Sequence, residues 1–393
     1  PGSEVTEAQM KALFGSGVHP NEDKIVTALI AQGAQHPQAV KAARLGAKFR
    51  VYADEGNEFR SRLKMAYEDY NRSVEQPPWS PIGEATRATI RTAVATDVFT
   101  AQYKRAPKDS RELSGFIARN TRAATTAVAG YDLTFTPVKS ISTVWALAPR
   151  ALSEAIEALH HEAIAETLQW AEKHVAFTRM GTDGIAQVET TGLIAAAFDH
   201  RDSRAGDPNL HTHVVVSNKV QAIGPDGIAR WLALDGQMLY RNKVVLSEQY
   251  NTRIERKLVE RLGFSFTDVQ TAAARRNVRE IDGVPAELLA AYSSRRTAIV
   301  DRVGELATAF QTQHGREPTT VEFLALSQKA TTESRQAKHA PRSLGDQRNE
   351  WRRQAIQILG SAQDIDAMVV NASGHIPKRI TLTDELVDSL AAA

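Results

Sequence analysis

The segment 198–218 most constrains the fold of this chain, because it predicts two β-strands joined by a short turn. Residues 193–198 are apolar and residues 214–216 are β-branched, which favours strands. Between them, residues 204–209 read Arg-Ala-Gly-Asp-Pro-Asn, a composition typical of turns. We therefore predict an antiparallel hairpin in this segment.

Three histidines lie in this hairpin. His211 and His213 are two residues apart, so on a strand both rings lie on one face. Antiparallel pairing would bring His200 beside them, and three converging imidazoles suit one divalent ion such as Zn²⁺, Mn²⁺, Ni²⁺ or Cu²⁺. A site with three protein ligands keeps coordination positions open, as catalytic metal sites do. The alternative is that these are ordinary histidines near a loop.

Composition bounds the class of protein. The 393 residues suggest one large or two smaller domains, and 42% hydrophobic with 24% charged residues is typical of a soluble globular protein. The chain has no cysteine, which excludes thiolate metal sites and fits a reducing cytoplasm. No apolar run predicts a membrane span or a signal peptide. A net charge of only +2 means that basic residues must cluster if the partner is a polyanion.

The pattern of elements predicts an α+β fold with an antiparallel sheet. A β-rich centre at about 120–235 lies between helical segments. Within it, residues 131–137 alternate as a strand, which places Asp132 on a polar face. Long helices are predicted at 151–175, 244–262 and 344–359.

The helix-rich stretch 55–119 contains or adjoins several aromatic residues, whose function the sequence leaves open. They could stack on nucleic-acid bases or form the inner face of a small helical unit. These residues are Tyr67, Tyr70, Trp79, Phe99 and Tyr103.

Two motifs resemble the conjugative relaxases of the TrwC/TraI (MobF) class, within the HUH endonucleases. One is Gly-Tyr-Asp-Leu-Thr-Phe-Thr-Pro-Val-Lys-Ser-Ile-Ser at 130–142. The other is the histidine segment 200–218, with its Ser-Arg, Asp-Pro and His-Thr-His elements. Residues 233–235, 292–296 and 341–344 are similar to later segments of the family.

The resemblance implies a fold and a division of the chain. It implies an antiparallel palm sheet of about five strands flanked by helices, with C-terminal helical fingers over a DNA groove. The expected parts are an N-terminal helical part of the palm at 1–44, a helix-rich insertion at 45–125, the catalytic palm at 126–240 and the C-terminal helical fingers at 241–393.

The resemblance also implies an activity. A tyrosine would attack the scissile phosphate of one DNA strand at a plasmid origin of transfer and keep the 5′ end covalently. His200, His211 and His213 would hold one divalent ion, with Mg²⁺ or Mn²⁺ in use and Zn²⁺ or Ni²⁺ able to fit. Asp132 would take the tyrosine proton or orient a ligand imidazole. The implied partners of a cytoplasmic bacterial monomer are single-stranded origin DNA, relaxosome accessory proteins and a coupling protein.

One feature departs from the family pattern. The family's nucleophilic tyrosines precede the part that resembles Glu4 onward, whereas the first tyrosine here is Tyr52. Residues 1–3, Pro-Gly-Ser, resemble a cloning remnant. We therefore assign the nucleophile to none of the eight tyrosines. We expect a truncated chain that binds metal and single-stranded DNA without forming the covalent adduct.

Basic and aromatic residues near these motifs are candidate DNA contacts. The alternative for each is an ordinary surface or core residue. Trp231 and Tyr240 could stack on bases, and the basic residues would bind phosphates. The candidate phosphate binders are Lys139, Arg201, Arg204, Arg241, Lys243, Arg348 and Arg352.

Two other functions stay open at this level. One is a metal-containing module that binds single-stranded DNA without cutting it. The other is a small-molecule metallohydrolase, which requires a concave pocket in place of a DNA groove.

Overall fold

The computed structural model describes residues 3–47, 49, 58–78, 80–121, 127–181, 184–269, 277–335, 340 and 342–374. The chain divides into two compact units, one made of residues 1–14, 18–46 and 130–393 and the other of residues 15–17 and 47–129. The candidate insertion at 45–125 lies largely in the smaller unit.

The strands of the described residues are short, apart from two. They are β1 Gly130–Phe135, β2 Phe177–Met180, β3 Ala186–Glu189, β4 Ala195–Asp202, β5 Pro208–Ser217, β6 Val220–Ile223, β7 Ala229–Leu232, β8 Phe266–Val269 and β9 Val278–Ile281.

Helices make up most of the rest, with a π-helical stretch at Lys11–Ser16. The α-helices are α1 Glu7–Met10, α2 Glu22–Ala31, α3 His36–Ala42, α4 Glu58–Ser73, α5 Glu84–Tyr103, α6 Ser110–Thr121, α7 Lys139–Leu147, α8 Arg150–His174, α9 Gly236–Arg241, α10 Lys243–Leu262, α11 Ala286–Ala291, α12 Ser294–His314, α13 Thr320–Glu333, α14 Leu344–Leu359 and α15 Ala362–Ala372.

The centre of the larger unit is an antiparallel sheet with the strand order β1-β5-β4. Strand β5 is amphipathic, because Leu210, Thr212, Val214 and Val216 are buried while the alternate residues are partly exposed. This alternation separates a core face from a second face that carries the histidines. The predicted α+β class, the antiparallel sheet and the hairpin of residues 193–216 are therefore confirmed.

The number of sheet strands differs from the expected five. Among the described residues, three strands form the central ladder, and the remaining strands pair as the two-stranded units β2-β3, β6-β7 and β8-β9. Each of these strands has only four residues, so each pair completes a short ladder of its own. An isolated bridge between Thr178 and Leu234 and a backbone bond from Thr191 to Gln221 link the β2-β3 and β6-β7 regions.

Helix α7 contacts β5, helix α8 contacts α7 and α10, and all three helices share one hydrophobic core with the buried residues of β5. Helix α7 is buried on every side, because it packs against β5, α8 and α14. Helix α14 packs against α7, where the rings of Trp145 and Trp351 lie 5.7 Å apart. One continuous core thus joins the sheet to the C-terminal helices.

The smaller unit has a core of its own, made by α4, α5 and α6. Phe59, Phe99 and Phe116 are buried, and Tyr103 packs on the last two. This arrangement favours the inner-face interpretation for Phe99 and Tyr103, whereas Trp79 lies outside the described residues. Of the helices in the described part of the chain, none is both long enough and apolar enough to cross a membrane.

Candidate metal and DNA site

The hairpin brings the three histidines together on the second face of the sheet. His200 lies directly opposite His211 in the β4-β5 ladder, and His213 follows two residues later on the same side. The ring centroids are 4.9 to 5.3 Å apart. One nitrogen from each ring can be chosen so that all three lie within 4.8 Å of one another. This spacing can enclose a single ion.

Hydrogen bonds on the far side of two rings set which nitrogen is available. His211 donates from Nδ1 to the carbonyl oxygen of Asn209 at 2.7 Å. His213 places Nδ1 at 2.8 and 2.9 Å from the two carboxylate oxygens of Asp132. Both partners are acceptors, so each ring carries its proton on Nδ1 and offers Nε2 as a ligand.

The residues fit a divalent ion by their chemistry. Neutral imidazole is the form that binds metal, and burial lowers the pKa of His211, which favours that form. Imidazole nitrogens suit Zn²⁺, Ni²⁺ and Cu²⁺, whereas Mg²⁺ prefers oxygen ligands. The backbone carbonyl and the carboxylate that hold His211 and His213 are the usual partners of metal-bound histidines.

The histidines line a groove of about 1590 Å³ within the larger unit. Seven basic residues also line it: Lys139, Arg201, Arg204, Arg295, Arg296, Arg335 and Arg342. Several lining carboxylates already bind protein donors, since Glu280 accepts from the backbone of Ser140 and Asp199 accepts from Thr212. The groove therefore presents arginines from several elements to an anionic ligand.

The turn between β4 and β5 is held by the C-terminal helices. Asp202 accepts hydrogen bonds from Arg342 at 3.1 Å and from Gln347 at 2.7 Å. Trp351 donates from its indole to the carbonyl of Gly206 at 2.8 Å. Because Asp202 lies two residues after His200, these contacts fix the end of a histidine strand.

A second set of contacts closes the same turn. Asp207 accepts a hydrogen bond from Ser294, at the start of α12, at 2.7 Å, and from Ser203 within the turn at 3.3 Å. Lys139, at the start of α7, donates to the carbonyl of Pro208 at 2.9 Å. Burial lowers the pKa of Lys139. The ammonium of Lys139 thus holds the first residue of β5 at the edge of the groove.

A family model described as TrwC relaxase matches residues 1–358 of the chain. The chain belongs to the TrwC relaxase family. The multifunctional conjugation protein TraI of Escherichia coli is 33% identical over 241 residues, and the TraI of Escherichia coli strain K12 is 31% identical over the same length. Each match covers 58% of this chain but only 12% of the relative, so the chain spans a small part of the curated relatives.

Two solved structures of relaxase TrwC are similar to this chain. A metal-bound TrwC in complex with OriT DNA has a TM-score of 0.49 and 21% identity, covering 79% of this chain and 97% of that one. TrwC in complex with mutant OriT DNA has a TM-score of 0.48 and 23% identity, covering 80% and 98%.

The candidate DNA contacts of this TrwC-family chain fall into three groups. Lys139, Arg201 and Arg204 line the histidine groove. Arg348 and Arg352 line a separate cavity of about 570 Å³ at the start of α8. There Arg348 donates to the carbonyl of Ala148, and Arg352 pairs with Asp366 at 2.7 Å. The structure therefore does not bring Arg348 and Arg352 to the groove.

The remaining candidates lie on β7, α9 and α10 and are not among the described residues that line the groove. Trp231 is partly buried and pairs with Gln221 across the β6-β7 hairpin. Tyr240 is 69% exposed, and the ammonium of Lys243 lies 4.3 Å from its ring centroid. Arg241 is exposed at the end of α9.

Four arginines that line the groove were not predicted from the sequence: Arg295, Arg296, Arg335 and Arg342. The family-like segments 292–296 and 341–344 contain three of them, which was a usable signal. Residue numbers alone did not show that α12 and α14 meet the turn after β4. Pro341 of the second segment lies outside the described residues.

Proposed function

We propose that this chain is the metal-binding and DNA-binding core of a conjugative relaxase, which cuts one strand at an origin of transfer. The observation that carries the proposal is the convergence of His200, His211 and His213 within 4.8 Å in an arginine-lined groove. The reaction class is transesterification, in which a tyrosine oxygen replaces the 3′ oxygen on the scissile phosphorus. We assign that tyrosine to none of the described residues.

The three histidines would hold the ion. When bound, a divalent ion would polarise the phosphate oxygens and offset their developing charge. The nitrogen-only donor set favours Ni²⁺ or Zn²⁺ over Mg²⁺. The identity of the ion in use is part of this proposal.

Asp132 would act mainly by orienting His213. Both of its oxygens lie at hydrogen-bond distance from Nδ1 of that ring, which supports the orienting role over the proton-accepting role. Its side chain is about half exposed, so a substrate group could still approach it. The contact with His213 exists without any substrate, and for that reason we favour it.

Arginines of the groove would bind the DNA backbone. Arg201 and Arg204 follow His200 directly, and Arg295 and Arg296 face the same groove from α12. Guanidinium groups bind phosphate strongly and leave sequence readout to other contacts. Within this proposal, residues 126–240 form the catalytic palm, residues 241–393 the fingers, residues 1–44 an N-terminal part and residues 45–125 an insertion.

The cellular setting follows from the same proposal. A relaxase core of this class would bind single-stranded origin DNA as a monomer in the bacterial cytoplasm and meet accessory and coupling proteins. A module that binds DNA without cutting it is not favoured by the family match. The breadth of the groove does not favour a small-molecule hydrolase.

The DNA part of the proposal is tested by fluorescence anisotropy with labelled single-stranded oligonucleotides at several salt concentrations. The double variant Arg201→Glu, Arg204→Glu should lower the affinity at least tenfold. It should also reduce the slope of log K against log salt by about 1.4, since each phosphate contact contributes about 0.7. A matched control is Arg62→Glu, Arg316→Glu, two exposed arginines outside the groove. Equal affinity of the double variant and the wild type would contradict the proposal.

Cleavage is tested on the full gene product that carries this chain, with an origin oligonucleotide labelled so that the 5′-linked product stays on the protein. His211→Ala should abolish the covalent adduct while single-stranded binding persists. An adduct of unchanged yield in His211→Ala would overturn the metal-assisted mechanism. A wild-type protein that binds the oligonucleotide but never cuts it would instead support the non-cleaving module.

A further inference from the structure

A series of hydrogen-bonded polar side chains runs from the exposed Asp199 of β4 to the buried Thr212 on the core face of β5 and on into the core. Thr212 lies between the two ligand histidines of β5, and Asp199 precedes His200 on β4. The two residues are direct partners in the ladder, and Thr212 Oγ1 donates to Asp199 Oδ1 at 2.6 Å. The cross-strand bond on this face therefore adjoins the cross-strand histidine pair on the other.

Side chains of helices α8 and α10 extend this series of hydrogen bonds into the core. His160 of α8 has Nε2 at 2.9 Å from Thr212 Oγ1 and Nδ1 at 2.6 Å from the hydroxyl of Tyr250 on α10. The residues His160, Thr212 and Tyr250 are 0%, 1% and 2% exposed. No step of the proposed reaction uses them.

The direction of each hydrogen bond follows from counting protons. Thr212 has one hydroxyl proton and gives it to Asp199, so His160 must donate from Nε2 to Thr212. Nδ1 of His160 is then bare and accepts from the hydroxyl of Tyr250. Burial lowers the pKa of His160 to about 3 and raises that of Tyr250, which agrees with a neutral ring and a protonated phenol.

This series of hydrogen bonds restrains the positions of two helices and two strands relative to one another. Each buried polar atom is satisfied only when α8, α10, β4 and β5 keep one arrangement, because an unpaired buried donor or acceptor is costly. Phe135, the other ladder partner of Thr212, packs edge-to-face on Tyr250 with centroids 5.4 Å apart. Thr212 is thus fixed from both neighbouring strands and from the helix layer.

We propose that Tyr250, His160 and Thr212 are positioning residues for the three-histidine centre. By fixing Thr212 and Asp199, they set the offset between β4 and β5 and so the distance between His200 and the two histidines of β5. This inference rests on the proposed metal function and deepens it. It assigns part of the metal affinity to side chains that never contact the ion.

The test compares metal affinity with stability in conservative variants. Tyr250→Phe removes one hydroxyl remote from the histidines, and Thr212→Val removes the central hydroxyl at nearly constant shape. Thr212→Ser keeps the hydroxyl and serves as the rescue variant. A matched control is Thr167→Val, because Thr167 is also fully buried but bonds only to Ala163 within α8.

Mn²⁺ is titrated into each protein by calorimetry well below its melting temperature, and Co²⁺ is added to record the visible absorption of the bound ion. We expect Tyr250→Phe and Thr212→Val to weaken Mn²⁺ binding about tenfold, the lower end of what supporting contacts contribute, and to shift the Co²⁺ band. Thr212→Ser and Thr167→Val should bind both ions as the wild type does.

The outcomes separate this inference from the function on which it rests. Wild-type affinity in both Tyr250→Phe and Thr212→Val, with only a lower melting temperature, would show a purely structural role and overturn the inference alone. Failure of the wild type to bind Mn²⁺ would overturn the metal centre and the inference with it. If Thr212→Val does not fold, the Mn²⁺ affinity of Tyr250→Phe alone decides whether the inference holds.

Discussion

His213 on β5 donates from Nδ1 to the carboxylate of Asp132 on β1 at 2.8 Å. Thr134, the direct ladder partner of His213, also lies within 3.2 Å of that nitrogen. The polar face of β1 thus meets the histidine face of β5, as the alternation of residues 131–137 requires. The pair has the form of a carboxylate that orients a metal-bound imidazole.

Removing the charge of Asp132 should weaken metal binding without removing it. Asp132→Asn keeps the shape but makes a poorer acceptor for the imidazole proton, so we expect Mn²⁺ affinity to fall by about 10- to 100-fold in a calorimetric titration. Asp69→Asn, the same change at an exposed aspartate of α4 that does not line the groove, is the control. Affinities within twofold of wild type for Asp132→Asn would exclude the orienting role.

The groove arginines of α12 should matter more for DNA than the arginines of α14. Arg295→Glu or Arg296→Glu is expected to weaken single-stranded DNA binding by about tenfold and to flatten its salt dependence, because each replaces a phosphate contact. Arg352→Glu, in the separate cavity, should leave both unchanged. Anisotropy titrations give the comparison, and the reverse order of effects would place the DNA elsewhere.

The buried His160 should make the folded state sensitive to moderate acid. Its folded pKa of about 3 lies below the ordinary value of 6.5, so its contribution to stability is present above pH 6.5 and is lost as pH falls toward 3. The free energy of unfolding should decline below pH 6.5 with a slope of up to about 1.4 kcal/mol per pH unit from this group. His160→Gln should remove that slope in urea unfolding between pH 7 and 4.5.

The neighbouring His161 provides a control, because its contribution to the free energy of unfolding has the opposite pH dependence. A hydrogen bond to Asp199 at 3.0 Å raises the pKa of His161, so its contribution is present below pH 6.5 and is lost as pH rises through the raised value. His161→Gln should therefore steepen the decline in acid. The same pH dependence in both variants would mean that neither ring titrates as its surroundings indicate.

The turns after β4 and β6 offer a matched pair of glycine substitutions. Gly206 and Gly227 both have positive φ, 87° and 74°, so alanine at either position should cost about 1–2 kcal/mol of backbone strain. At Gly206 a Cβ would lie 2.9 Å from Nη2 of Arg342, while at Gly227 no heavy atom lies within 4 Å. Urea unfolding should show a larger loss for Gly206→Ala, because Arg342 must leave Asp202. Equal losses would show that the contact between Arg342 and the turn contributes nothing to stability.

The site hairpin was predictable because its signals are local. Alternating polarity, β-branched residues and turn residues all lie within residues 193–216, and the spacing of His211 and His213 fixes their common face. The helices at 151–175, 244–262 and 344–359 were predicted for the same reason. Local patterns also placed Asp132 on the face that meets His213.

What the sequence did not reveal depends on contacts between distant residues. Helix α7 has only nine residues and is buried on all sides, so its short apolar run does not distinguish a helix from a strand. His160 gave no sign that it would bond Thr212, because 52 residues separate them. Arg342 reaches Asp202 across 140 residues, and Arg348 turns to Ala148 rather than to the groove. Such placements follow from tertiary packing, which periodicity does not encode.

Titration of Mn²⁺ into the wild type and into His200→Ala, His211→Ala and His213→Ala tests the central claim most directly, with exposed His174→Ala as the control. We expect one ion per chain, lost or weakened at least about 100-fold in each of the three variants and unchanged in the control. Binding that survives in the three variants, or that falls equally in His174→Ala, would contradict a three-histidine metal centre.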